Sequence, residues 1–160
     1  MQEYVIGCDN AAVSLKNTLK DELLSMGYKV EDVGCYTPDD PEYYPYIAKA
    51  VCENIIESGY QKHGVLICGT GLGVCMAANK FKGIRAGVCH DSYSAERLAL
   101  SNDGNVICFG ARVIGAELAK KVLREWIGLK YQDGPSTPKV AAIMEIENER
   151  MRQEHEASAG

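Results

Sequence analysis

Short, mostly apolar runs alternate along this chain with longer segments whose apolar residues recur at helical spacing. The runs fall at 4–8, 29–33, 64–68, 85–89 and 105–109, and the longer segments at 14–26, 46–57, 74–80, 93–101, 116–128 and 136 to about 155. Five strands spaced by helices, apolar almost throughout, predict a buried parallel sheet covered on both sides. Right-handed crossovers then give an α/β fold, a three-layer α/β/α Rossmann-like domain with a five-stranded parallel sheet and an extended carboxy-terminal helix. Gly27 and Gly59 stand where helices end, and Pro41 and Pro45 mark the loop before the second helix. The last helix is mostly polar but carries Val140, Ile143, Met144, Ile146 and Met151, which need a surface to cover; a second copy of the chain is the candidate. One domain is expected over 1–155, with a disordered tail at 156–160.

Composition narrows the picture. At 160 residues and 46% hydrophobic, the chain can bury a core without covalent staples. Its seven cysteines sit mostly in apolar runs and include no Cys-x-x-Cys pair, which fits reduced thiols and a cytoplasmic location. Met1 to Tyr4 lead straight into a strand with no basic, apolar leader, and no run approaches the ~18 apolar residues of a membrane span. A net charge of −5 without a basic cluster argues against a nucleic-acid surface, so any phosphate must be held by a few local groups. No spacing of His, Cys and acid suggests a metal site, and no cofactor is expected.

The chemistry gathers at strand ends. From Gly64 to Lys80 the chain runs from an apolar strand, through alternate glycines at 69, 71 and 73, into a small-residue helix. Such a loop lets the backbone approach a ligand and aligns N–H groups on an anion. Cys68 closes the strand at this loop, where a thiolate is favoured, whereas Cys8, Cys35, Cys52, Cys75, Cys89 and Cys108 lack that context and default to packing. Asp9 follows the first strand and has two equal readings, a helix cap or a partner for a substrate hydroxyl. Tyr44-Pro45 reads as a loop anchor or a lid. Arg112, after the last strand, suits either an acid partner or a phosphate. His90 reads as a structural strand-end residue, and His63 and His155 as surface residues. A nicotinamide-dependent enzyme is one rival: Asp91 lies 20 residues beyond Gly71, but the glycine spacing misses Gly-x-Gly-x-x-Gly and follows the third strand rather than the first. A sugar-phosphate sensor without turnover is another.

Over nearly its whole length, to about Ile143, the chain resembles the ribose-5-phosphate isomerase B and galactose-6-phosphate isomerase family. The carriers are Gly7-Cys8-Asp9, Tyr44-Pro45, the run from Ile67 to Gly73, Ala77-Ala78-Asn79-Lys80, Gly83-Ile84-Arg85-Ala86, His90-Asp91-Ser92-Tyr93-Ser94-Ala95, Asn102-Asp103 and the run from Gly110 to Gly115. The resemblance implies a metal-free aldose–ketose isomerisation through a cis-enediolate. In it Cys68 is the base, Thr70 a hydrogen-bond partner of the base or a proton relay, and the backbone amides of Gly69 to Gly73, those of Gly69, Gly71 and Gly73 among them, the donors that stabilise the enediolate. It places Asp9, Asn10, Tyr44, Ser101 and Asn102 at sugar-contacting positions and Arg112 and Lys139 at phosphate-contacting ones. It also implies a homodimer or tetramer with sites shared between subunits. In the branch with a glutamate base that acid would stand at Val74, which keeps the assignment on Cys68.

Three positions depart from the family. Asn10 and Ser101 replace histidines, the second of them the ring opener, and Pro135 and Lys139 replace an arginine pair. A serine hydroxyl cannot do the acid–base work that an imidazole does near neutrality. A tetrose carrying phosphate on oxygen 4 has no hydroxyl placed to close a furanose and needs no ring opener. The favoured substrate pair is therefore erythrulose 4-phosphate and erythrose 4-phosphate, with ribose 5-phosphate or a hexose 6-phosphate as alternatives.

Overall fold

The computed structural model describes residues 1–160. Its first strand, β1 (Glu3–Cys8), is buried from Tyr4 onward because both of its faces are covered by helices. A 3₁₀ turn (Asn10–Ala12) leads into α1 (Val13–Ser25), followed by β2 (Lys29–Asp32), α2 (Tyr44–Glu57) and β3 (Lys62–Cys68). Then come α3 (Leu72–Ala78), β4 (Ala86–Val88), α4 (Ser92–Leu100), β5 (Val106–Gly110), α5 (Ala116–Ile127) and α6 (Thr137–Ala159). All strand pairs are parallel, in the order β2-β1-β3-β5-β4. Helices α2 and α3 pack together on one face, while α5 packs against both α1 and α4 on the other. The expected three-layer α/β/α architecture with five parallel strands and a long last helix is what forms.

The order of strands matters for function. The chain leaves β1 to one side for β2 and returns to the other side for β3, so a crevice opens at the carboxyl ends of β1 and β3, the usual ligand position in such sheets. Register sets Cys8 beside Ile67 and Cys68 beside Gly110, which aligns the ends of β1, β3 and β5.

Some boundaries differ from the sequence expectation. Helix α2 begins at Tyr44, taking Pro45 into its first turn, where a missing N–H costs nothing. Strand β4 is shorter than expected because the Arg85 amide turns to the Asn105 side chain at 2.8 Å instead of joining the ladder. At the free edge of β4, the Asn79 amide group stands in for a missing strand, accepting from Ala86 N at 2.8 Å and donating to Ala86 O at 3.0 Å. Residues 156–159, expected to be disordered, continue α6 to Ala159 as exposed turns. His63 is not a surface residue; its ring packs on Trp126 at 5.7 Å and Tyr4 at 6.3 Å, and burial pushes its pKa down. No helix is long and apolar enough to cross a membrane.

Candidate active site

Backbone ladders continue past the strand ends and hold the loops in one row. Asp9 N–H donates to Ile67 O at 2.8 Å, Ala111 N–H to Cys68 O at 2.8 Å and Arg112 N–H to Gly69 O at 3.0 Å. Asp9, Cys68, the glycine loop and Arg112 therefore meet at the carboxyl edge of β1, β3 and β5.

Cys68 is only 5% exposed, and its sulfur accepts the Gly71 N–H at 3.1 Å. This bond needs the left-handed backbone of Gly71, with φ of 80°. A Cβ there would also come within 2.9 Å of the Phe109 carbonyl carbon, so the glycine is required twice over. The Gly71 amide is thus committed to the sulfur rather than to a ligand, a correction to the expectation that the whole run of glycine amides faces the substrate. The Leu72 amide donates to Thr70 Oγ1 at 3.3 Å, whereas those of Gly69, Thr70, Gly73 and Val74 donate to no group of the chain. These four are the amides left for an anionic oxygen.

The walls are set by close approaches. Gly73 lies directly under the Tyr44 ring, which a Cβ would meet at 2.6 Å, and Gly69 lies under the Arg112 guanidinium, 3.4 Å from a hypothetical Cβ. Arg112 forms no ion pair within the chain, so its charge is free for an anion. Asp9 precedes the 3₁₀ turn without capping it, which removes the structural half of its two readings. Asn10 is oriented by its own donation to Asp40 O at 2.9 Å, a long-range contact that no local pattern announced.

The dinucleotide rival loses its acid. Asp91 caps α4, accepting from Ser94 N and Ser94 Oγ, each at 2.7 Å, and these bonds hold its carboxyl below the usual range.

Of the other thiols, burial pushes Cys8, Cys52 and Cys89 up to about 12. Cys75 departs from the packing expectation: a hydrogen bond with Cys108 brings it down to about 7 against the effect of its partial burial. It sits away from the glycine loop, with its sulfur 3.4 Å from Ala86 O. No group of three or more His, Cys, Asp or Glu is arranged to hold a metal ion.

Three expected site residues are not beside Cys68. Helix α4, about 14 Å long at 1.5 Å per residue, starts at the carboxyl edge and delivers Ser101 and Asn102 to the opposite edge, ahead of β5. There Ser101 Oγ accepts from Arg97 Nη1 at 3.2 Å. Lys139 lies in the first turn of α6, whose later residues Met144 and Glu147 contact Arg85 and Gly83 at that same far edge. The roomiest clefts also run beside α6 rather than over the glycine loop.

Comparison with known proteins agrees with this geometry. The ribose/galactose isomerase family model matches residues 4–143. A D-erythrulose-4-phosphate isomerase of Pectobacterium atrosepticum is 42% identical, with 96% of this chain and 100% of that protein covered. Ribose-5-phosphate isomerase B of Escherichia coli is 39% identical over 94% of this chain and 99% of its own. Among solved structures, ribose-5-phosphate isomerase B of Clostridium thermocellum superposes with a TM-score of 0.88 at 36% identity, covering 93% of this chain and 99% of that one. A shared fold and a family match across almost every element leave one conclusion: this chain belongs to the ribose/galactose isomerase family.

Proposed function

We propose that this protein interconverts the aldose and ketose forms of a tetrose 4-phosphate, with Cys68 as the base. The observation that carries the chemistry is the Gly71 N–H held on the Cys68 sulfur beside four uncommitted loop amides. The thiolate removes the proton from the carbon next to the carbonyl, and the electron pair moves onto the carbonyl oxygen to give an enediolate. The amides of Gly69, Thr70, Gly73 and Val74 stabilise that charge as it develops. The sulfur returns the proton to the neighbouring carbon while Thr70 relays the hydroxyl proton between the two oxygens. Asp9 and Asn10 orient the sugar hydroxyls, Tyr44 closes the site, and Arg112 grips the phosphate.

Two features support the tetrose. Positions 10 and 101 carry no imidazole, and an open-chain substrate asks for none. The Pectobacterium relative is named for erythrulose 4-phosphate. Ribose 5-phosphate is the second reading, favoured by the Escherichia coli relative's name.

The working unit we infer is a cytoplasmic homodimer or tetramer. Ser101, Asn102 and Lys139 lie too far along the chain's own fold to meet its Cys68, so a neighbouring copy is the source of such residues at each site. Around the glycine loop Tyr43, Tyr93, Met76 and Tyr46 are 59–72% exposed, and on α6 Ile146 is 62% exposed, an apolar surface fit for a second copy.

The test is an NMR assay in deuterated water with equal concentrations of erythrulose 4-phosphate and ribose 5-phosphate, following conversion and deuterium at the α-carbon. Faster tetrose turnover supports the proposal, and faster ribose turnover replaces it with the pentose reading. Cys68→Ala should abolish α-proton exchange while leaving the circular dichroism unchanged. Persistent exchange would move the base elsewhere.

A further inference from the structure

Beyond the last rung of β4, strand β5 runs on toward Gly110 without a neighbour on that side. The final inter-strand bond is Cys89 N–H to Cys108 O at 3.1 Å. Ala111 N–H points to β3, donating to Cys68 O, so alternation along the strand turns the Gly110 N–H to the side where β4 has ended. The imidazole of His90 fills that gap, its Nε2 accepting from Gly110 N at 2.8 Å. An accepting Nε2 fixes the neutral ring with its proton on Nδ1.

Gly110 is the floor of the catalytic loop. A Cβ on it would come within 2.6 Å of both the carbonyl carbon and oxygen of Thr70, and a Cβ on Gly71 within 3.2 Å of the Gly110 nitrogen. The two backbones are therefore in direct contact, and the Gly71 amide that rests on this floor is the one that reaches the Cys68 sulfur at 3.1 Å. A shift of the Gly110 peptide is therefore felt directly by Thr70 and Gly71.

We propose that His90 is a positioning residue for the base: by taking the Gly110 N–H it holds the end of β5 against Thr70 and Gly71 and so keeps the Gly71 amide on the Cys68 sulfur. This rests on Cys68 being the base. Burial keeps the ring neutral by lowering its pKa, opposed by the nearby Asp91 carboxylate. Of the elements packed against it, the end of β5 (Phe109, Gly110, Ala111) brings no titratable side chain, and the glycine loop brings only Cys68.

The tests use the full chain. In ¹⁵N-labelled wild type, His90 should show the tautomer with a bare Nε2, and a protonated Nε2 at neutral pH would overturn the proposal. His90→Ala should lower kcat on erythrulose 4-phosphate about tenfold, the weight of one ordinary hydrogen bond, with KM nearly unchanged. It should slow iodoacetamide alkylation of Cys68, followed by mass spectrometry, in parallel. In His90→Gln the side-chain oxygen can still accept, and both rates should recover to within about threefold of wild type, well inside the tenfold loss. Equal impairment in the two variants, or an unimpaired His90→Ala, would refute a positioning role. If neither sugar phosphate is turned over, the isomerase reading fails, while the tautomer and alkylation measurements still decide the role of His90.

Discussion

Gly71→Ala puts the fold and the chemistry under one perturbation. The residue sits at φ +80°, where a Cβ costs about 1–2 kcal/mol. That Cβ would stand 2.9 Å from the Phe109 carbonyl carbon and 3.1 Å from its oxygen, backbone atoms of a buried strand that cannot swing aside as a side chain would. Overpacking of this kind costs roughly 1–3 kcal/mol, so the total is about 2–5 kcal/mol, or a fall in Tm of about 5–20 °C for a domain of this size. Relief of the clash moves the Gly71 amide off the Cys68 sulfur. A hydrogen bond to a charged group contributes about 1.5–3 kcal/mol, so kcat should drop between about tenfold and a hundredfold. Thermal unfolding at fixed protein concentration, with turnover measured well below the new Tm, reads both effects. Gly115→Ala is the control: Gly115 has φ −77° and open space around its missing Cβ, so its Tm should stay within about 2 °C of wild type. A Gly71→Ala protein with wild-type Tm and full activity would refute both the strain argument and the assignment of the amide to the sulfur.

Arg112→Lys should raise KM for a sugar phosphate about tenfold with a smaller change in kcat, because a lysine keeps the charge over Gly69 but loses the two-pronged grip; an unchanged KM would move the phosphate elsewhere. Asp32 governs acid stability. Despite the burial that would raise it, hydrogen bonds from Lys16, Lys20 and the Gly34 amide hold its carboxyl below the usual range. A lowered folded value means its contribution is present above the unfolded carboxyl value of about 3.9 and is lost as pH falls through the lower folded one. Asp32→Asn should flatten that acid limb in urea titrations and destabilise the protein at neutral pH by about 3–5 kcal/mol, since Lys16 is left buried at 1% side-chain exposure. Wild-type stability in that variant would show the pair to be dispensable.

Local pattern carried most of the fold. Apolar runs, glycine stops and helical spacing located all five strands and six helices, because each depends on residues within a few positions. What escaped were features fixed by distant partners. The sequence pointed to the Gly69–Gly73 amides as a set, but only the contact of Gly71 with Phe109 and Gly110 decides that one of them turns to the Cys68 sulfur. Cys75 read as a packing thiol because nothing near it in sequence shows that Cys108, 33 residues on, would lower it to about 7. His90 read as a strand-end residue, since the gap it fills exists only because β4 stops two residues before it. Pairing between elements, rather than element identity, is where the reading ran out.

The same distinction separates the chemistry from the choice of substrate. Cys68, the loop amides, Tyr44 and Arg112 are all fixed by the ends of β1, β3 and β5 and by the first turn of α2, within one chain. Two positions that depart from the family, Ser101 and Lys139, hang from α4 and α6 at the other edge of the sheet. The length of the strands separates these positions from Cys68. Under the proposed function, a position such as Ser101 can lose an imidazole, and with it the means of opening a ring, without a change at Cys68. A scaffold divided in this way would exchange a pentose for a tetrose by substitutions that reach the site through the proposed assembly, and the enediolate chemistry would need no compensating change.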